Sequence, residues 1–136
     1  MTTAPSWAAR GRDIGAAVAA AVVVNLLVYA VGRLAGGEFS FTRSGSEVEV
    51  GAVAVAIFSA LPLGIGLVAV ALLVGRLPVI ARGAMVVAPL LAVVTIFVMT
   101  IPVDLDTTST VTLAACHLTL VPISLVAIQR LRGSPA

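Results

Sequence analysis

The chain has 136 residues, of which 60% are hydrophobic and only 10% charged, and its mean hydropathy is +1.18. A soluble domain of that size has no interior large enough to hide so much apolar surface, so the composition is that of a membrane protein. The net charge is +2 and rests on eight arginines and no lysine; they lie between apolar runs, which excludes a nucleic-acid patch, and the single cysteine excludes an intrachain disulfide and paired-thiol redox chemistry.

Four apolar runs follow in order, at 14–34, 51–74, 83–101 and 111–128. Each matches the roughly 20 residues that a helix needs to cross a hydrocarbon core of about 30 Å. Their interiors hold no Asp, Glu, Arg or Lys, as ordinary spans require. The expected fold is therefore an all-α membrane protein, a four-transmembrane-helix bundle forming one integral membrane domain over 1–136.

The first run follows Arg10 and Arg12 and is longer than the signal-peptide core of about 7–15 residues, so it reads as a retained span. Asn25 and Tyr29 lie four apart on it, hence on one face. Next comes Glu38–Val50, where apolar and polar residues alternate around Arg43-Ser44-Gly45-Ser46. This predicts a short β-hairpin between the first two helices, with Phe39 and Phe41 on one arm, Val48 and Val50 on the other, and Gly45 in the turn. A two-stranded ribbon is marginal alone, so it should lean on the helix ends.

On the second run, Ala52, Ala56, Ala60 and Gly64 repeat every four residues, a ladder suited to close helix packing within a bundle or between protomers. Pro62 with Gly64 and Gly66 makes this run the one expected to be irregular. Pro78 is expected to stop it within the turn Arg76–Arg82. The third run carries a second ladder, Ala84, Ala88 and Ala92. After it, Pro102–Thr110 forms an acidic turn whose Thr108-Ser109-Thr110 segment is suited to capping the fourth helix.

Orientation follows from charge. Six arginines (10, 12, 76, 82, 130 and 132) flank one side, with Asp13 as its sole acid, whereas Glu38, Glu47, Glu49, Asp104 and Asp106 fall on the other with Arg33 and Arg43. One face thus carries +5 and the other −3. Positive residues in short loops stay inside, so both termini are expected in the cytoplasm (N-in/C-in), the hairpin outside, and the protein in a bacterial inner membrane.

Candidates for chemistry are few. His117 is the one ionisable side chain at membrane depth, suited to a ligand headgroup, a proton or a metal; the plainer reading is a neutral histidine hydrogen-bonded across the bundle to Tyr29 or Asn25. No partner ligand lies at metal or haem spacing, so no metal and no cofactor is expected. The candidate ligand-binding set is His117, Asn25, Tyr29 and Asp104. Asp104 and Asp106 with Glu47 and Glu49 read first as a solvated rim, and Cys116 as a small packing residue.

Several short patterns recur together: Val48-x-Val50 before a small-residue helix, Arg76-x5-Arg82 in the inner turn, Pro102 after the third helix, and Leu113-x3-His117 opening a fourth that ends in arginine. In this the chain, over about residues 10–132, resembles an uncharacterised actinobacterial family of small four-helix integral membrane proteins, a domain of unknown function. It departs from that pattern at Ala84-Met85, where family members often carry an aromatic. The absence of lysine and the Ala, Val and Arg bias suit a GC-rich genome. The resemblance implies the bundle and no activity.

Two functional readings remain. The first is a non-enzymatic membrane protein that binds lipid or an apolar ligand, or assembles with itself or a membrane partner. The alternative is a membrane enzyme or cofactor protein acting on a lipophilic substrate near the outer leaflet through His117. Small proton-coupled exporters match in length, but they depend on an acid in the first helix where this chain has only Asn25.

Overall fold

The computed structural model describes residues 6–77 and 79–133. It is mostly helical, with four helices long and apolar enough to cross a membrane and one two-stranded hairpin. Pro78 lies outside the described residues.

Helix α1 spans Trp7–Leu34, and its 28 residues cover about 42 Å at about 1.5 Å each, more than a hydrocarbon core needs. The surplus lies at the front, where the Ser6 hydroxyl accepts from the Ala9 N–H at 3.2 Å and caps the helix ahead of the apolar run. At the far end Gly36 takes a φ of 91°, and the Gly37 N–H returns 2.9 Å to the Gly32 carbonyl. That six-to-one bond closes the helix with a left-handed residue only glycine adopts cheaply.

The hairpin is β1 (Ser40–Arg43) against β2 (Ser46–Glu49), with Phe41 opposite Val48 and Thr42 opposite Glu47. Its two-residue loop has φ of 53° at Ser44 and 79° at Gly45, the doubly positive turn whose twist matches paired strands. Phe39 departs from the expected alternation. It precedes β1 with a φ of 57°, a left-handed backbone that a bulky residue adopts only under constraint. This swings its ring fully inside while Phe41 stays half-buried.

Helix α2 is Ala52–Leu73, α3 is Val79–Thr95 extended by a wide π turn over Ile96–Thr100, and α4 is Thr107–Leu131. The expected irregularity in α2 is absent, because the helix runs unbroken through Pro62. It occurs instead in the third span, where the Ile101 N–H reaches back five residues to Ile96 at 2.9 Å. Just ahead of the turn, the Thr95 hydroxyl bonds the Leu91 carbonyl. The wide turn shifts the helix face by one residue: Thr100 is buried, whereas Met99, two regular turns beyond buried Ala92, is exposed.

α1 packs along both α2 and α4, α3 packs chiefly on α4, and α2 also meets α4; α1 and α3 do not touch among the described residues. Two apolar cores result. The one at the arginine end joins all four helices through Ala17, Leu67, Ala81 and Ile128, and the one at the hairpin end comprises Tyr29, Phe39 and Val55. In the ladders, Gly64 stands against Val18 of α1, and Ala92 is the buried member of the α3 row. The outward faces are apolar: Phe58, Ile65, Val86 and Phe97 are all more than 60% exposed. In water such faces would aggregate, whereas lipid chains solvate them.

Candidate functional site

At membrane depth the polar residues converge on Asn25. Its Nδ2 donates 2.8 Å to Ser59 Oγ on α2, and its Oδ1 accepts from the Thr119 hydroxyl on α4. The chain of bonds continues as Ser59 donates to the Val55 carbonyl at 2.7 Å, and the Cys116 thiol points at the Asn25 carbonyl at 3.7 Å. Asn25, Ser59 and Cys116 are buried. One amide therefore ties three helices, and both of its ends are engaged.

The other expected site residues do not join this cluster. His117 is half-buried, and its Nδ1 lies 2.7 Å from the Leu113 carbonyl, one turn back on its own helix. A carbonyl accepts only, so Nδ1 is the donor in this bond. The cross-bundle bond to Tyr29 or Asn25 is replaced by this local one. Tyr29, on the same face as Asn25, packs against Phe39 with ring centroids 4.6 Å apart. Asp104 is exposed at the hairpin end, where it accepts the Thr42 N–H at 2.8 Å. Among the described residues no group of three His, Cys, Asp or Glu side chains is placed to hold a metal.

The acidic turn serves the hairpin. Asp106 caps α4 by accepting the Ser109 N–H at 2.9 Å, a role expected of the Thr108-Ser109-Thr110 run. Its second oxygen takes the Ser109 hydroxyl and the Glu38 N–H, and Ser109 Oγ in turn accepts the Phe39 N–H at 2.8 Å. The Ser109 hydroxyl and N–H, then the Glu38 and Phe39 amides, favour the charged form and hold the Asp106 carboxyl down at about 2. The Thr42 amide lowers that of Asp104 in the same way. These two aspartates thus satisfy backbone donors of the hairpin.

Openings lie toward both ends of the bundle. At the hairpin end a cleft of 680 Å³ lies among Arg33, Glu38, Glu47 and Glu49, where Arg33 is bound to the Glu38 carbonyl at 2.8 Å and paired with Glu49 at 3.3 Å. At the arginine end a groove of 430 Å³ runs between α1 and α4. Its walls are Ala16, Ala17, Ala20, Pro122, Ile123, Val126 and Ala127, with Asp13 and Arg130 at its mouth. Small side chains on α1 opposite the ring of Pro122 leave this seam unfilled. Beside it, Arg10 is buried and donates to the Ala71 carbonyl at 2.6 Å, capping the C-terminal end of α2 with positive charge.

A family model described as Family of unknown function (DUF6069) matches residues 3–133. The chain belongs to DUF6069. No curated protein and no solved structure matches it. For this DUF6069 chain the groove, the Asn25 cluster and the hairpin dock are the features on which a reading must rest. Sequence patterning singled out Asn25 and missed Thr119, one of many threonines, since their pairing depends on the register between two helices. It also missed the α1–α4 groove, whose only signal was small residues on one helix face.

Proposed function

We propose that this DUF6069 member is a non-enzymatic multi-pass protein of a bacterial inner membrane that binds a lipid or similar apolar ligand. The observation that carries the reading is the α1–α4 groove, which opens sideways between two spans and is apolar except at its mouth. Such a seam is the shape a single acyl chain fills, and it holds no reactive constellation. The arginine bias supports an orientation with both termini and the connection between the second and third spans, carrying Arg76 and Arg82, in the cytoplasm and the hairpin outside. The lysine-free composition with its Ala, Val and Arg bias supports an actinobacterial source, and the four apolar helices support a four-helix membrane family. Assembly with itself or a membrane partner is compatible with the groove, because the apolar outer faces of α2 and α3 remain open.

The alternative, a membrane enzyme or cofactor protein, draws on His117 Nε2, which none of the described hydrogen bonds engages. A native mass spectrum of the protein released from nanodiscs cut directly from membranes separates the two. Groove binding predicts a reproducible extra mass that survives His117→Ala and is lost in Ala20→Leu, which fills the seam. An extra mass lost with His117→Ala would move the site to the hairpin half and revive the enzyme reading. A bare protein in every form would leave the groove reading without support and turn the search to partners.

A further inference from the structure

Resting on that lipid-binding reading, we infer that the α1–α4 groove selects a phospholipid whose headgroup carries both a phosphate and a primary ammonium, Arg130 meeting the phosphate and Asp13 the ammonium.

The two mouth residues make the case. Asp13 is the only acid on the arginine-flanked side of the sequence, and it lines the same groove as Arg130. The two do not pair: the ion pair among the described residues is Arg33 with Glu49, at the other end of the molecule. Asp13 is half-buried, and none of the described hydrogen bonds or ion pairs engages it. A half-buried carboxylate that none of the described ion pairs engages is open to a cationic group, and an arginine on the facing helix that stays apart leaves room for something between them. A zwitterion with its charges a few bonds apart meets both.

Position identifies the occupant as a membrane lipid. From Asp13 to Ala20 the groove runs about 10 Å along α1, at about 1.5 Å per residue, which is about two-thirds of one leaflet's hydrocarbon. Its polar end therefore sits where headgroups lie and its apolar end where acyl chains lie.

Charge and donor geometry then discriminate among headgroups. A glycerol headgroup offers Arg130 its phosphate but gives Asp13 only neutral hydroxyls. A choline headgroup has the positive charge but no N–H to donate. A primary ammonium supplies charge and donors together. The other arginines of this face attract every anionic lipid alike, so selectivity has to come from the groove mouth.

The test uses purified protein in nanodiscs of equal parts phosphatidylethanolamine, phosphatidylglycerol and phosphatidylcholine, read by native mass spectrometry after collisional removal of loosely held lipid. Circular dichroism and monodisperse elution verify that each variant is folded. The expected adduct is enriched in phosphatidylethanolamine by about three- to five-fold, the discrimination that a half-exposed ion pair supplies. Asp13→Asn should abolish the enrichment while keeping adducts, Arg130→Gln should weaken all three lipids, and Ala20→Leu should strip them. Equal or greater retention of phosphatidylglycerol, or an enrichment unchanged in Asp13→Asn, overturns the headgroup assignment and leaves the groove standing provided Ala20→Leu still strips lipid. Adducts that persist in Ala20→Leu overturn both.

Discussion

At the scale of single residues, the Asn25 amide and the Phe39 ring carry opposite kinds of information. Asn25 was legible because a lone amide inside an apolar run is conspicuous and is costly to leave unpaired. Its partners were not, since nothing in one helix tells which threonine of another stands opposite. Replacing Asn25 with Ala removes the donor to Ser59 and the acceptor for Thr119, and should destabilise the bundle by about 1–2 kcal/mol, measured by reversible unfolding in mixed micelles. Coupling between Asn25→Ala and Thr119→Val near zero in a double-mutant cycle would show that the amide does not act through α4. Phe39 was placed on a strand by simple alternation. Its left-handed backbone is set by bonds from Val50 and to Ser109, which come from later parts of the chain. Phe39→Ala gives up a fully buried ring and should cost about 3 kcal/mol or more. Gly32→Ala tests the same seat from below, because a Cβ there would stand 2.9 Å from the Phe39 ring and 2.6 Å from the Thr112 methyl. Overpacking of that order costs about 1–3 kcal/mol, and a neutral Gly32→Ala would argue against a tight seat.

At the scale of elements, the hairpin and the α3–α4 turn form one unit. The alternation of Glu38–Val50 and the placement of Gly45 were enough to predict the ribbon, since both are local properties. What it leans on was not legible, because the dock pairs segments more than 60 residues apart. The pH dependence follows from Asp106. Its folded pKa of about 2 lies below the ordinary 3.8, so its contribution to docking is complete above about pH 4 and is lost as pH falls toward 2. Amide resonances of Glu38 and Thr42 followed in detergent should move in that window and stay fixed between pH 5 and 7. In Asp106→Asn the Glu38 transition should disappear; its persistence would assign the titration to another carboxylate. The π turn of the third span is the element that sequence mislocated. Proline and glycine content pointed to α2, but a proline within a span is accommodated where neighbouring helices hold the segment, as α1 and α4 hold α2. α3 also runs unbroken through its own Pro89, and its wide turn lies beyond it, preceded by a threonine side chain bonded one turn back.

At the scale of the whole molecule, four spans follow from run length and charge alone, because the bilayer sets one dimension that any crossing helix must meet. The proposed orientation is open to a direct check. In a Cys116→Ser background, a cysteine at Ser46 should react with a membrane-impermeant maleimide on intact cells, and one at Gly75 only after permeabilisation. The reverse pattern would invert the topology and put the α1–α4 groove in the outer leaflet.

The contact pattern of the bundle also bears on the order in which it is made. α1 and α2 are mutual neighbours, so they can pair as soon as both have left the ribosome. Among the described residues α3 does not touch α1, meets α2 only sparsely, and finds its main partner in α4, the helix that follows it. During translation the third span must therefore wait, solvated by lipid, until α4 has been made. A chain truncated after Thr100 should then show efficient cross-linking between α1 and α2 while α3 drifts free, and restoring α4 should recruit it.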